Sequence, residues 1–302
     1  MSAEPDVVIV GGGLAGLAAT RRLHRAGVPW RLLEAGDRLG GRVATDRVDG
    51  YLLDRGLQVL NTAYPRLGTL LDLATLKLGY FTSGVLVRRG DDLVRLVHPL
   101  REPAGAPGTA LAGVGSLTDR LRLALLAAGC ATLPPRRLLD ATETTSETAL
   151  RQAGLSDAII EELVRPFLSG VLVDRELTTS SRILAMVSRS FARGRIGLPA
   201  EGMGALPRAV AAPLPSAPPE PVVRRELARL YGHPTDDWEH LTTVAVPHAL
   251  PAASPPQGRL RKPVTLGDGL YVAGDHRDSP SIQGALASGW RAAGALLRAL
   301  RP

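Results

Sequence analysis

The residues best placed to do chemistry lie in the first fifty of the chain. Gly11-Gly12-Gly13-Leu14-Ala15-Gly16 spells G-x-G-x-x-G, and Glu34 follows 18 residues after Gly16. Such glycines serve a nucleotide diphosphate. Gly11 permits a tight turn, Gly13 lets phosphate approach the backbone, and Gly16 allows a helix to lie close to its strand. A helix opening at Leu14 and Ala15 offers free N–H groups and a partial positive charge to the phosphates. Glu34 can accept both ribose hydroxyls of an adenosine and would repel a 2′-phosphate. Further on, Gly40-Gly41-Arg42 supplies close backbone approach and a guanidinium that can pair with a diphosphate. Near the other end, Gly274-Asp275 precedes Ser281-Ile282-Gln283-Gly284. An aspartate beside a helix N-terminus suits a ribityl chain and the edge of a flavin, because helix N–H groups stabilise negative charge on a reduced ring.

The elements that must position these residues are legible around them. Asp6–Val10 is a short apolar run, read as a strand buried on both faces. Leu14–Ala26 is rich in Ala and Leu and lacks proline, as a helix would be, and Gly27 stands at its expected end. Trp30–Glu34 reads as a second strand, so the N-terminus is a right-handed βαβ unit with parallel strands. Gly269–Ala273 reads as a closing strand and Ser281–Leu300 as a closing helix. Between them the pattern is helical, at Leu117–Thr132, Thr144–Ala153, Ser156–Leu168 and Ser181–Gly194. Ser146 or Thr144 is the expected cap of the second of these, with Glu147 as the box partner of Thr144. Ser156 caps the third, and the Thr178–Ser181 run reads as a cap. Residues 213–221 hold five prolines and read as a stiff linker, and Val222–Tyr231 is a further helix candidate.

Composition narrows the classes. The chain has 302 residues, 45% apolar and 22% charged, which places it among globular proteins. Its single cysteine, Cys130, excludes a disulfide scaffold and a thiolate metal site, and reads as a buried small hydrophobe. The six histidines form no ligand pair at helical spacing, so no metal is expected; His276, next to Asp275, is placed to face a flavin. The net charge is +7, and all basic residues but Lys77 and Lys262 are arginines. They are scattered among acids, and aromatics are only 4%, which argues against nucleic acid as a partner. No signal peptide or membrane-spanning run is visible, and a cytoplasmic location is expected, with peripheral contact to anionic lipid as an option.

Taken together, Glu34–Arg42, Asp54-Arg55-Gly56 and the closing Gly-Asp…Gly-Ala-Leu-x-Ser-Gly resemble the FAD-dependent amine oxidase and phytoene desaturase superfamily. The resemblance is close over residues 5–65 and 265–298. It is looser through Arg165–Val171, Thr179-Ser180-Ser181 and Pro199–Gly204, which look like the desaturase branch. It implies an α/β fold: a Rossmann-like FAD-binding domain with a parallel sheet, formed by 1–84 and 258–302, plus a mostly helical substrate domain at 85–257. FAD would be held by Gly11, Gly13, Leu14, Ala15, Gly16, Glu34 and Ala35 at the adenosine end, by Gly41 and Arg42 at the diphosphate, by Gly274 and Asp275 at the ribityl chain, and by Ile282, Gln283 and Gly284 at the ring. The implied function is an FAD-dependent oxidoreductase that moves a hydride from a largely apolar small molecule to flavin, with oxygen, a quinone or a second protein as acceptor. No catalytic base is assigned. The chain lacks the active-site lysine, the aromatic residues before the flavin and the tethering cysteine seen in many amine oxidases. It is also shorter than family members between the Pro199–Gly204 segment and the final helix, which reads as an internal deletion near 213–221. That leaves two outcomes for Gly269–Ala273: direct pairing with Asp6–Val10, or a gap with exposed apolar surface. A truncated, non-catalytic nucleotide-binding relative is the alternative reading, and an NAD-dependent dehydrogenase is a third.

Overall fold

A computed structural model describes residues 7–34, 38–56, 58–98, 101–208 and 250–300. The linker at 213–221, the helix candidate at Val222–Tyr231 and Ala35 lie outside these. The chain opens with β1 (Val7–Val10), α1 (Leu14–Arg25) and β2 (Trp30–Leu33). β1 and β2 pair in parallel, Val7 opposite Trp30 and Val10 opposite Leu33, as the βαβ pattern requires. β3 (Thr45–Val48) and β4 (Tyr51–Asp54) form an antiparallel hairpin across Asp49-Gly50. Two-residue strands β5 (Leu60–Asn61) and β6 (Gly79–Tyr80) follow.

The middle of the chain holds one hairpin that the sequence pattern did not reveal. β7 (Gly84–Arg89) and β8 (Asp92–Val97) pair antiparallel around Gly90, where a helical region was expected. Val87 and Val97 are buried, whereas Leu86 and Leu93 are exposed. The alternation is that of a half-covered sheet, and its short length hides it among the helices. The helices α2 (Leu117–Thr132), α3 (Ser146–Gln152), α4 (Arg165–Leu172) and α5 (Ser181–Arg193) come next. Ser116 and Asp119 form a capping box on α2. Thr145, and neither Ser146 nor Thr144, caps α3 by accepting from the Thr148 N–H at 3.1 Å, because Ser146 is already inside the helix and spends its hydroxyl on the Thr179 carbonyl. Ser156 and Ser180 cap as expected, although the helix that Ser156 opens widens into a π turn at Ile160–Val164 before α4. These helices enclose a core of Leu150, Ile159, Ile160, Leu177 and Ile183, with Val87 from the hairpin.

β9 (Ile196–Leu198) sits between β5 and β6 and pairs antiparallel with both, which carries the chain back from the helices. The last described stretch contains β10 (Thr265–Gly267), β11 (Leu270–Tyr271) and α6 (Ile282–Ala299). α6 packs along α1, and the two share a core with Leu60, Leu67, Met203 and Leu206. Among the described helices none is long and apolar enough to cross a membrane.

Two expectations about the sheet need correction. The closing strand is shorter than Gly269–Ala273 and pairs antiparallel with β10, and not with β1. Among the described residues, β2 is the sole partner of β1, so the parallel sheet is two strands wide. Nor is β1 buried on both faces: Val7 and Ile9 face the helices, while Val8 and Val10 are 54% and 83% exposed. Leu266 and Leu270 are likewise about two-thirds exposed. Among the described residues no strand pairs with the other edge of β1, and direct pairing with the closing strand is not what the structure shows.

Candidate cofactor site

Gly11 turns the chain out of β1 with a φ of +98°, a conformation a side chain would strain. Gly13 caps α1 without a side chain, and the first turn carries no acid. The leading N–H groups, including those of Leu14 and Ala15, are therefore not taken up by a cap, which suits them to an anion. Gly16 closes the motif: a Cβ there would lie 2.0 Å from the Gly11 carbonyl oxygen.

The second glycine pair meets the first. The Gly40 N–H donates to the Gly12 carbonyl at 2.7 Å, Gly13 and Gly40 bridge in parallel, and a Cβ on Gly41 would stand 3.6 Å from the Gly13 Cα. Backbone meets backbone here because neither loop carries side chains. Glu34, at the end of β2, lies over the same turn and accepts the Gly12 N–H at 2.6 Å. Three groups expected to hold one nucleotide thus converge on one loop pair.

Arg42 links this loop to the far end of the chain. Its guanidinium meets the Asp275 carboxylate at 2.7 Å, and the Gln58 amide donates to its carbonyl at 2.7 Å. Asp275 is buried and also accepts the His276 N–H at 3.1 Å. The Gly274 N–H donates to the hydroxyl of Ser288, a fully buried residue on α6 whose O–H in turn donates to the Ala285 carbonyl. The His276 ring folds back over Gly274, leaving no room for a Cβ there. The termini are held together along the whole length of α1 and α6: a Cβ on Gly289 would fall 1.9 Å from the Ala15 carbonyl oxygen.

The three ring-end residues have local duties. Ser281 caps α6 by accepting the Gly284 N–H at 3.0 Å, so that donor is spent within the protein. A Cβ on Gly284 would collide with the Ser279 carbonyl. The Gln283 side chain accepts the Arg66 N–H at 2.9 Å, and Ile282 packs into the core shared with Leu14. What reaches outward from α6 is its first-turn backbone, which again carries no acid.

Sequence reasoning missed the props behind the site. Asp46 takes both Arg55 nitrogens, at 2.6 and 3.0 Å, and Arg38 at 3.4 Å, and these bonds hold its carboxyl below the usual range, Arg55 first. Asp54 accepts from Thr45 and from the Met203 N–H at 2.8 Å, while Gly204 donates to Thr45 at 2.6 Å. The Asp54-Arg55-Gly56 and Pro199–Gly204 matches are therefore one packed unit. Spacing alone could not join segments 149 residues apart.

The residues present fit an adenine dinucleotide. Uncapped helix donors, glycines where a Cβ could not stand, and a guanidinium opposite a buried carboxylate are the donor set that a diphosphate and a polyol chain require.

Comparison with known proteins agrees. The profile of the flavin containing amine oxidoreductases matches residues 14–222 and 221–297. Polyamine oxidase 5 of Oryza sativa subsp. japonica is 42% identical over 85 residues, 28% of this chain and 17% of that protein. Coproporphyrinogen III oxidase of Bacillus subtilis is 33% identical over 187 residues, 56% of this chain and 37% of that protein. An oxidoreductase from Methanosarcina mazei shares the fold with a TM-score of 0.50 at 19% identity, over 67% of this chain and 47% of that structure. The chain spans less than half the length of each. With the profile running over most of its residues, and FAD the cofactor that goes with it, the chain belongs to the family of flavin-containing amine oxidoreductases.

Proposed function

We propose that the chain is an FAD-dependent oxidoreductase acting on a largely apolar small molecule. The observation that carries the reading is the Arg42–Asp275 contact at 2.7 Å, which joins the phosphate loop to the ring end of the chain. When bound, the flavin supplies a two-electron acceptor for a hydride from a C–H bond. The protein's part is to bind and orient. The α1 N-terminus and Arg42 would hold the diphosphate, Glu34 the ribose and Asp275 the ribityl hydroxyls, and the α6 N-terminus would offer a positive partial charge to the ring.

A cavity of about 410 Å³ with mixed apolar and polar walls is the candidate substrate space. It lies between Val171, Leu172 and Val187 of the helical region and Leu250–Ser254, and it reaches Pro280, immediately before the α6 cap. Among the described residues Asp174 is its one charged lining residue. That carboxylate already accepts the Thr179 N–H at 2.7 Å, the Thr179 hydroxyl at 2.8 Å and the Thr178 hydroxyl at 3.1 Å. All three bonds fall on one oxygen, Oδ2, so the carboxylate keeps the negative charge that a substrate ammonium would seek. Two relatives are named for such amines, polyamine oxidase and putrescine oxidase, and one for a porphyrinogen.

Anaerobic mixing tests this. Flavin bleaching by an uncharged apolar donor, with none by putrescine or a polyamine, is the expected result. Bleaching by amines alone would overturn the apolar reading, and a flavin-loaded protein bleached by chemical reductant but by neither donor class would overturn the proposed activity.

A further inference from the structure

A second charged site lies away from the cofactor loops. The outer half of α6, the middle of α1 and the segment before β10 enclose a groove of about 380 Å³. At about 30 Å³ per water this is room for roughly a dozen waters. Six cations line it, Arg22, Arg259, Arg261, Lys262, Arg291 and Arg298, and its lining contains no acid. Among the described residues the one carboxylate that reaches any of them is Asp278, shared by Arg261 at 3.5 Å and Arg291 at 3.2 Å.

Elsewhere some arginines are held by carboxylates, and others, such as Arg101 and Arg189, donate to backbone carbonyls. Arg55 is paired with Asp46, Arg89 with Glu162, Arg151 and Arg165 with Glu147, and Arg47 with Glu201. In the groove, Arg22, Arg259 and Arg298 enter no ion pair among the described residues. Arg22 is nonetheless fixed. Its guanidinium donates to the Trp290 carbonyl at 2.6 Å, lies 5.0 Å from the Trp290 ring centroid, and fills the notch left by Gly294, where a Cβ would stand 2.3 Å away. Burial, and then the neighbouring Arg298 and Arg66, hold its pKa below the ordinary arginine value. Like charges brought together in a concave, partly rigid wall are stabilised by an anion that several guanidiniums can grip at once.

We infer that this groove is a binding site for a soluble ligand carrying two or more adjacent phosphate groups, separate from the cofactor loops. The cations line an open groove in which several guanidiniums and one ammonium can reach a single compact polyanion.

Inorganic tripolyphosphate is the probe, titrated calorimetrically into the flavin-loaded protein so that the dinucleotide site is already filled. One saturable site per chain is expected. Arg259→Gln and Arg298→Gln remove charges that enter no ion pair among the described residues, and each is expected to weaken binding about tenfold, the double variant about a hundredfold. Arg47→Gln, a remote charge, is expected to leave it within about twofold. The flavin spectrum reports folding in every variant. Absence of saturable binding, equal losses in Arg47→Gln, or binding to phosphatidylserine vesicles that tripolyphosphate does not displace would each overturn the inference.

Discussion

Substituting Gly289 by alanine perturbs the contact on which the two-ended site depends. The added methyl would sit 1.9 Å from the Ala15 carbonyl oxygen, 2.7 Å from its carbonyl carbon and 3.0 Å from its Cα. All three atoms are backbone of α1, so no side chain can swing aside. Restoring an ordinary contact of 3.4 Å requires a local separation of about 1.5 Å between α1 and α6. Overpacking of this kind costs about 1–3 kcal/mol. For a chain of this size that lowers the melting temperature by between about 2 and about 12 °C. The displaced residue lies in the first turn of α1, whose N–H groups are assigned to the diphosphate, so FAD affinity falls as well. Gly129→Ala is the internal control. It is the same change in helix α2, where a Cβ meets nothing within 4 Å, and it is expected to stabilise by about 0.5–1 kcal/mol. Differential scanning calorimetry and a flavin-fluorescence titration read both variants. If Gly289→Ala melted with the unmodified protein and kept its FAD affinity, the close α1–α6 packing would be refuted.

Three further outcomes follow from the same geometry. Arg42→Gln strands the buried Asp275 carboxylate at a cost of about 1–3 kcal/mol and removes a diphosphate ligand, so it is expected to lower both the melting temperature and the FAD bound per chain; a loss of neither would contradict the ion pair. Hydrogen bonds from Ser116 first, and then Ser156, hold the buried Asp119 carboxyl well below its ordinary value. A depressed acid stabilises the fold above its unfolded pKa of about 3.9 and loses that contribution as pH falls further. The melting temperature of Asp119→Asn is therefore expected to lie below that of the unmodified protein at pH 6 and to converge with it in strong acid, and a gap independent of pH would exclude the mechanism. Burial raises the Cys130 thiol, so a thiol reagent is expected to label it only after urea is added; rapid labelling of the native protein would place Cys130 at the surface.

The local parts of the site were legible because their constraints are local. Gly11, Gly13 and Gly16 are read from spacing, since strand, turn and helix follow one another without interruption. The helix α5 is recoverable from its cap in the Thr178–Ser181 run and α2 from its proline-free apolar run, whereas the Ser116 cap of α2 came only with the structure. Hairpin β7–β8 was lost because six-residue strands with half-exposed leucines carry little periodic signal beside a long helical region. The exposure of Val8 and Val10 follows from what does not pair with β1, and an apolar run cannot report its neighbours. The same limit applies to the basic groove. Arg22, Arg259 and Arg298 look scattered along the chain, and only the packing of α6 on α1 gathers them. The local roles of Gln283 and Gly284, spent on Arg66 and Ser281, are set by contacts that spacing does not encode.

The central claim is that the two ends of the chain build one cradle for an adenine dinucleotide. The most direct measurement is the amount of FAD released per chain on denaturing the purified protein, repeated after incubation with added FAD. A ratio near one is predicted, falling sharply in Glu34→Ala and Arg42→Gln. A colourless protein that takes up no FAD from solution would contradict it.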